Sequence, residues 1–250
     1  MTNLHEVASF LDEFFQSSRF HEEANGVLHE TARPIQRVGL ALEPWPGLAA
    51  WAEADRLDAL FLHRAAHLEA GALPTDMGVL AYHLAFDEKM TLGWNPRLAD
   101  MLHLTSPEVI GWKQRRPLGM IGDVPDQHVA EFYRSVSQIF GGRDESRTCE
   151  CDRVSRVAVV GGMTEALVHE ASERGADVYI TGQFRQPGRV AMLETGIGVI
   201  AVGHRRGEEW GLRALAQVLR ERWADLEAVL PPPHPHPNHY HNHHNHHNDH

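Results

Sequence analysis

The residues best suited to chemistry are His204 and Glu208, within Ala201-Val-Gly-His-Arg-Arg-Gly-Glu208, together with His63, His83 and Asp87 from the first half of the chain. An imidazole and a carboxylate four residues apart, where a strand runs into a helix, share one face and can point at one ion. His83 and Asp87 repeat that spacing. The same spacing also describes a solvated polar pair on a helix surface, so what favours a metal site is where the other residues fall.

Those side chains need elements to hold them. Asp58-Ala-Leu-Phe-Leu-His63 reads as a strand with His63 at its C-terminal end, the end where ligands collect in parallel α/β sheets. Before it, Leu4 to Phe20 reads as an amphipathic helix through Val7, Phe10, Leu11, Phe14 and Phe15, Val38 to Leu42 as a buried strand, and Trp45 to Glu53 as a helix. Gly78 to Phe86 suits either a strand or a helix, and Asp100 to His103 a short helix. Val157-Ala-Val-Val-Gly-Gly162, Thr164 to Arg174 closed by Gly175, and Ala176 to Gly182 form a βαβ unit. Gly198 to Gly203 is a further strand leading into His204, and Trp210 to Trp223 is helical. The Gly161-Gly162 turn lacks the full spacing of a dinucleotide or P-loop fingerprint and reads as packing and turn geometry. The expected fold is α/β, in two βαβ-rich halves (residues 1–122 and 155–230) with helices covering the sheets and the metal site between them. Residues 123–154 are expected to connect the halves.

At 250 residues the chain can bury a substantial core, and its formal charge of −11 argues against a protein that grips phosphate backbones. Lys113, Arg115 and Arg116 form a local basic cluster, expected as a solvated loop. No stretch resembles a membrane span or a secretory signal, so the expected location is the cytoplasm. The two cysteines, Cys149 and Cys151, are expected as free thiols in a linker, because alternate residues on an extended segment are poor disulfide partners. From Pro231 onward a histidine-rich tract interleaved with asparagine and proline carries no apolar periodicity, so residues 231–250 are expected to be a disordered tail binding metals loosely.

In their order along the chain these pieces resemble the Nif-three-like dinuclear-metal-centre family, whose members carry the label of GTP cyclohydrolase I type 2 homologues. The likeness is most specific in Gly175-Ala-Asp-Val-Tyr-Ile-Thr-Gly182 followed by Gly203-His-Arg-Arg-Gly-Glu208. Asp58 to His63, His83 to Asp87, Gly93 with Asn95, and Pro117 to Gly122 follow in the family's order. The resemblance implies a two-metal centre built from two consecutive histidines, an aspartate, a later histidine and a bridging glutamate. Carried over residue by residue, the ligands are His63, Asp87, His204 and Glu208. Arg64 stands where the second consecutive histidine would be, and a guanidinium has no lone pair to give a cation. Gln183 to Arg189 also lacks an aspartate and a histidine common in the family.

The expectation is therefore a mononuclear site. Arg64 would pair with Asp87, and one divalent ion (zinc, manganese, iron or nickel) would sit on His63, His204 and Glu208 with open positions. His83 is expected behind the ligands, moving protons, and His67 at the surface; Arg64 would also stabilise an anionic oxygen. The implied activity is metal-dependent hydrolysis of a small-molecule substrate, of cyclohydrolase or phosphate-ester type. The alternatives are a metal-buffering protein without turnover or an oligomeric scaffold, and the resemblance implies a homo-oligomer, a ring-shaped hexamer.

Overall fold

Short apolar runs in both halves pair into two sheets, separated by a layer of helices. A computed structural model of the chain describes residues 2–232, so nearly all of the histidine-rich tail lies outside the described residues. In chain order the elements are α1 (Leu4–Phe15), β1 (Gly26–His29), β2 (Arg37–Ala41), α2 (Leu48–Ala54), β3 (Ala59–Leu62), β4 (Gly78–Ala81), α3 (Leu84–Met90) and α4 (Pro96–Met101). There follow β5 (Thr105–Lys113), β6 (Arg116–His128), α5 (Val129–Phe140), β7 (Glu145–Arg147), β8 (Arg153–Val160), α6 (Glu165–Glu173) and β9 (Val178–Thr181). The last are α7 (Gln186–Thr195), β10 (Gly198–Ala201), α8 (His204–Arg222) and β11 (Glu227–Val229).

The first sheet has the order β1-β4-β3-β2-β11, with only β1 antiparallel to its neighbour. The second has the order β5-β6-β8-β9-β10-β7, with β8, β9 and β10 parallel. Strands β3, β4 and β10 are apolar and buried at every position because both their faces are covered. In β3, Ala59 and Phe61 face the inner helices while Leu60 and Leu62 face Trp51 of α2. In β8, Val157 and Val159 face inward, and Ala158 and Val160 lie under α6 and α7. Side chains of α1, α3, α5 and α8 fill the space between the sheets in one continuous core.

Two glycines fix the long helix α8. Gly203 turns the chain out of β10 at φ +98°, a conformation that L side chains avoid. At Gly211 an added Cβ would meet the Met90 carbonyl oxygen and Phe86 at 2.8 Å each, so α8 packs closely on α3.

The α/β class and the two covered sheets match expectation, but the chain divides differently. The expected boundary at residue 122 falls inside β6, and β5 and β6 belong to the second sheet through antiparallel pairing with β8. The expected connector at 123–154 contains α5 and β7, and β11 returns to the first sheet beside β2. These pairings join residues far apart in the chain, which local periodicity does not report. Gly78 to Phe86 resolves into the end-to-end pair β4 and α3. Cys149 and Cys151 are not free thiols: they form a disulfide, with Cα atoms 5.1 Å apart. The segment is bent at Glu150, whose N–H donates to the Gly196 carbonyl at 3.2 Å, rather than extended.

Candidate metal centre

Parallel strands end side by side, so residues just beyond β2, β3 and β4 share one rim of the first sheet. The ladder continues past β3: His63 N–H donates to the Ala41 carbonyl at 3.1 Å and Arg64 N–H to Leu42 at 2.7 Å. Glu43 follows β2 on the same rim. His83 stands at the N-cap of α3, and Asp87 lies one helical turn on, its N–H donating to the His83 carbonyl at 2.9 Å. From the second sheet, β10 passes through Gly203 into α8, with His204 at its start and Glu208 one turn later. The packing of α8 on α3 brings the two sets together.

His63 is the centre of the group and is 1 % exposed. Its Nδ1 lies 3.3 Å from the Tyr82 carbonyl, which aims Nε2 at Asp87 Oδ1 (3.4 Å) and Glu208 Oε1 (3.2 Å). The His83 ring centroid is 4.9 Å from that of His63, and ligand atoms of His63, His83 and Asp87 all lie within 4.8 Å of one another. This group could hold a metal ion. Tetrahedral ligands with bonds near 2.0–2.1 Å stand about 3.3 Å apart, and the His63–Asp87 and His63–Glu208 separations match that edge. A nitrogen and carboxylate donor set suits zinc and neighbouring first-row cations.

The charges fit the same conclusion. Burial pushes the Asp87 carboxyl above its usual range, and the Glu208 charge adds to the effect, while the neighbouring imidazoles oppose it. The Asp87 side chain is 29 % exposed, on the wall of a partly open cavity. A cation between His63 and Asp87 would offset this cost. Glu208, only 2 % exposed, behaves oppositely: burial raises its carboxyl, but hydrogen bonds from His204, His63 and Arg64 outweigh burial and hold it far below the carboxylate range. His204 Nε2 lies 2.9 Å from Glu208 Oε1, and that bond raises the imidazole above its ordinary value.

Arg64 does not pair with Asp87 as expected. Its Nη1 and Nη2 fork onto the two oxygens of Glu208, Nη2 at 2.9 Å from Oε2, and its Nε donates to Glu43 Oε2 at 3.3 Å. The bidentate match of guanidinium and carboxylate, with Glu43 on the third side, decides this. Glu43 in turn accepts from Arg205 Nη1 at 2.8 Å. A second consequence concerns His83: expected behind the ligands, it stands beside His63 and Asp87, with Nδ1 2.9 Å from Glu23 Oε1 and Nε2 3.9 Å from Asp87 Oδ2. His67 is exposed.

Glu43, Glu23 and Arg205 were not legible as site residues. Glu43 had a usable signal, an acid just past the apolar run Val38 to Leu42, the position that His63 holds after the next strand. Glu23 lies in the irregular connection between α1 and β1 and had none. A cavity of about 300 Å³ opens on the group, with Asp87, His204 and Glu208 at one end and Lys113 and Arg116 in its wall.

Residues 67–237 match the model of the family described as Duf34/NIF3 (NGG1p interacting factor 3). A GTP cyclohydrolase 1 type 2 homolog of Pyrococcus abyssi is 28 % identical over 238 residues, covering 87 % of this chain and 93 % of that one. A crystal structure of a Thermus thermophilus protein superposes with a TM-score of 0.73 at 22 % identity, covering 96 % of this chain and all of that one. Reduced HcgD from Methanocaldococcus jannaschii superposes with a TM-score of 0.71 at 20 % identity, covering 92 % of this chain and 97 % of that one. Among the described residues no helix is long and apolar enough to cross a membrane.

Proposed function

Because the chain belongs to the Duf34/NIF3 family, we propose that it is a metal-dependent hydrolase of a small-molecule substrate, working with one divalent ion per chain. The observation that carries this reading is the pairing of Arg64 with Glu208. The guanidinium takes both oxygens of Glu208, so a fixed positive charge stands where the resemblance places a histidine and a second ion. His63, Asp87 and His83 would hold the ion, and His204, bonded to Glu208, acts on that carboxylate rather than as an independent ligand. Bound there, a divalent ion supplies Lewis acidity and acidifies water. The chain's own residues do the rest. Arg64, held on Glu208 and Glu43, keeps a fixed positive charge beside the group, and His204, raised above its ordinary value by its hydrogen bond to Glu208, places a titratable imidazole on the cavity wall. The GTP cyclohydrolase label of the relatives supports a ring-opening or phosphate-ester substrate; the reading also includes a hexamer in the cytoplasm.

Elemental analysis of the chain ended at Leu230, and of the same chain with His63→Ala, tests the reading. One ion per chain, lost on substitution, is the expected result, and two ions would refute the mononuclear site. Retention of metal without turnover on any ester or cyclic amidine substrate would instead leave a metal-buffering protein. That alternative has its own support in the Arg64–Glu208 pair, which removes one ligand from open coordination. Light scattering checks the hexamer.

A further inference from the structure

The cavity has two chemically different ends. One part of its wall is formed by Asp87, His204 and Glu208, beside His63 and His83, and another by the tip of the β5–β6 hairpin. There Lys113 and Arg116 are direct cross-strand partners, joined by Gln114 and Arg115, both at positive φ (49° and 64°) as a tight two-residue turn requires. Like charges facing each other across a strand pair destabilise it. Among the described residues no carboxylate stands within ion-pair distance of Lys113, Arg115 or Arg116, although the chain as a whole carries a formal charge of −11. Arg116 is nonetheless fixed in place. Its guanidinium lies over the Phe20 ring, 4.8 Å from the centroid, and Nη2 donates to Gln114 Oε1 at 2.9 Å. Lys113, Arg116 and Phe20 all line the cavity that reaches Asp87 and Glu208.

We propose that Lys113 and Arg116 form an anion-binding end of this cavity, so that the substrate is a small organic anion, phosphoryl or carboxylate, whose opposite end reaches the His63, His83 and Asp87 group. The anion relieves the like-charge pair and gains charge-assisted hydrogen bonds from Lys113 and from Arg116, the latter already held over an aromatic face. A cavity of about 300 Å³ limits the ligand to a compact molecule. The proposal rests on the metal-site reading for the ligand's second end, but not for the anion's own binding.

Calorimetric titration of the full chain with phenyl phosphate, with benzoate, and with neutral benzyl alcohol tests it, in metal-loaded and in chelator-treated protein. Phenyl phosphate or benzoate is expected to bind both forms, more weakly as salt rises, while benzyl alcohol does not. Arg116→Gln and Lys113→Gln are each expected to weaken anion binding about tenfold or more. Their metal content should not change, and the unliganded melting temperature of Lys113→Gln should not fall, because the like-charge pair is gone. Whichever of the two anions shows that dependence identifies the group that is recognised. Equal affinity in wild type and variants, or no anion binding by the wild type, overturns the proposal. A chain that retains no metal but binds the anion through Arg116 refutes the metal-site reading and leaves this one standing.

Discussion

Substituting Arg64 with alanine isolates the pair that distinguishes this site. Glu208 is 2 % exposed and loses the fork that covers both its oxygens, while Glu43 loses one partner and keeps Arg205. Removing one member of a buried ion pair costs about 3–5 kcal/mol. The Arg64 side chain is itself 27 % exposed, so water already screens one side of the pair, and His204 remains on Glu208 Oε1. Together these reduce the expected loss to about 2–3 kcal/mol. For a chain of this size that is a fall in melting temperature of roughly 4–12 °C. Urea denaturation of chelator-treated protein at pH 8 measures it, with Arg64→Lys falling between the two because an ammonium cannot fork. The Glu208 carboxyl is held below its ordinary value of 4.5, so its stabilising contribution is complete above that pH and is lost as the pH falls beneath it. The gap between wild type and Arg64→Ala is therefore expected to close on acidification below about pH 4.5. A loss under about 0.5 kcal/mol at pH 8 would refute the claim that Arg64 compensates a buried charge.

Asp87→Asn should abolish metal retention yet leave chelator-treated protein at least as stable as wild type at pH 8, with the difference vanishing in acid. A carboxyl raised by burial favours the fold only while protonated and loses that contribution as pH rises, so a marked loss of stability at pH 8 would contradict the assignment. His204 is raised above 6.5, so its contribution is fully present below that value and is lost as pH rises through the folded one. His204→Ala in chelator-treated protein should accordingly destabilise more at pH 6 than at pH 9, and an equal effect at both would refute the ion pair with Glu208. Gly211→Ala forces a Cβ against the Met90 carbonyl and Phe86, and should lower both thermal stability and metal affinity by shifting α8 away from α3. Unchanged metal affinity would show that the contact does not set the spacing of Glu208 and Asp87.

Much of the fold was written locally. The buried strands β3, β8, β9 and β10 showed as apolar runs bounded by glycine or polar residues, and α1 and α8 as helical periodicity, because those signals depend only on neighbours a few residues apart. The edge strands were not legible. β1 is short with its C-terminal half exposed, β7 is three polar residues, and β5 is largely exposed, so nothing in their own composition demands a sheet. β11 is a three-residue strand defined only by its partner β2. The bend that closes Cys149 onto Cys151 was hidden for the same reason, since it depends on the Gly196 carbonyl of another element.

The sequence by itself offered part of the site's chemical inventory: His63, His83, Asp87, His204 and Glu208 at strand ends and on first helical turns, and an arginine where the resemblance implies a ligand, but not Glu43, Glu23 or Arg205. It also determined that Arg64 cannot ligate, because that follows from the guanidinium alone. Only the tertiary structure decided the partners. Asp87 and Glu208 are both carboxylates reachable from Arg64 by charge, and only the register of α8 on α3 places Glu208 under the fork and leaves Asp87 to His63 and His83. The pairing of charges depends on separations of a few ångströms across three elements. A sequence specifies those separations only through the whole packed core.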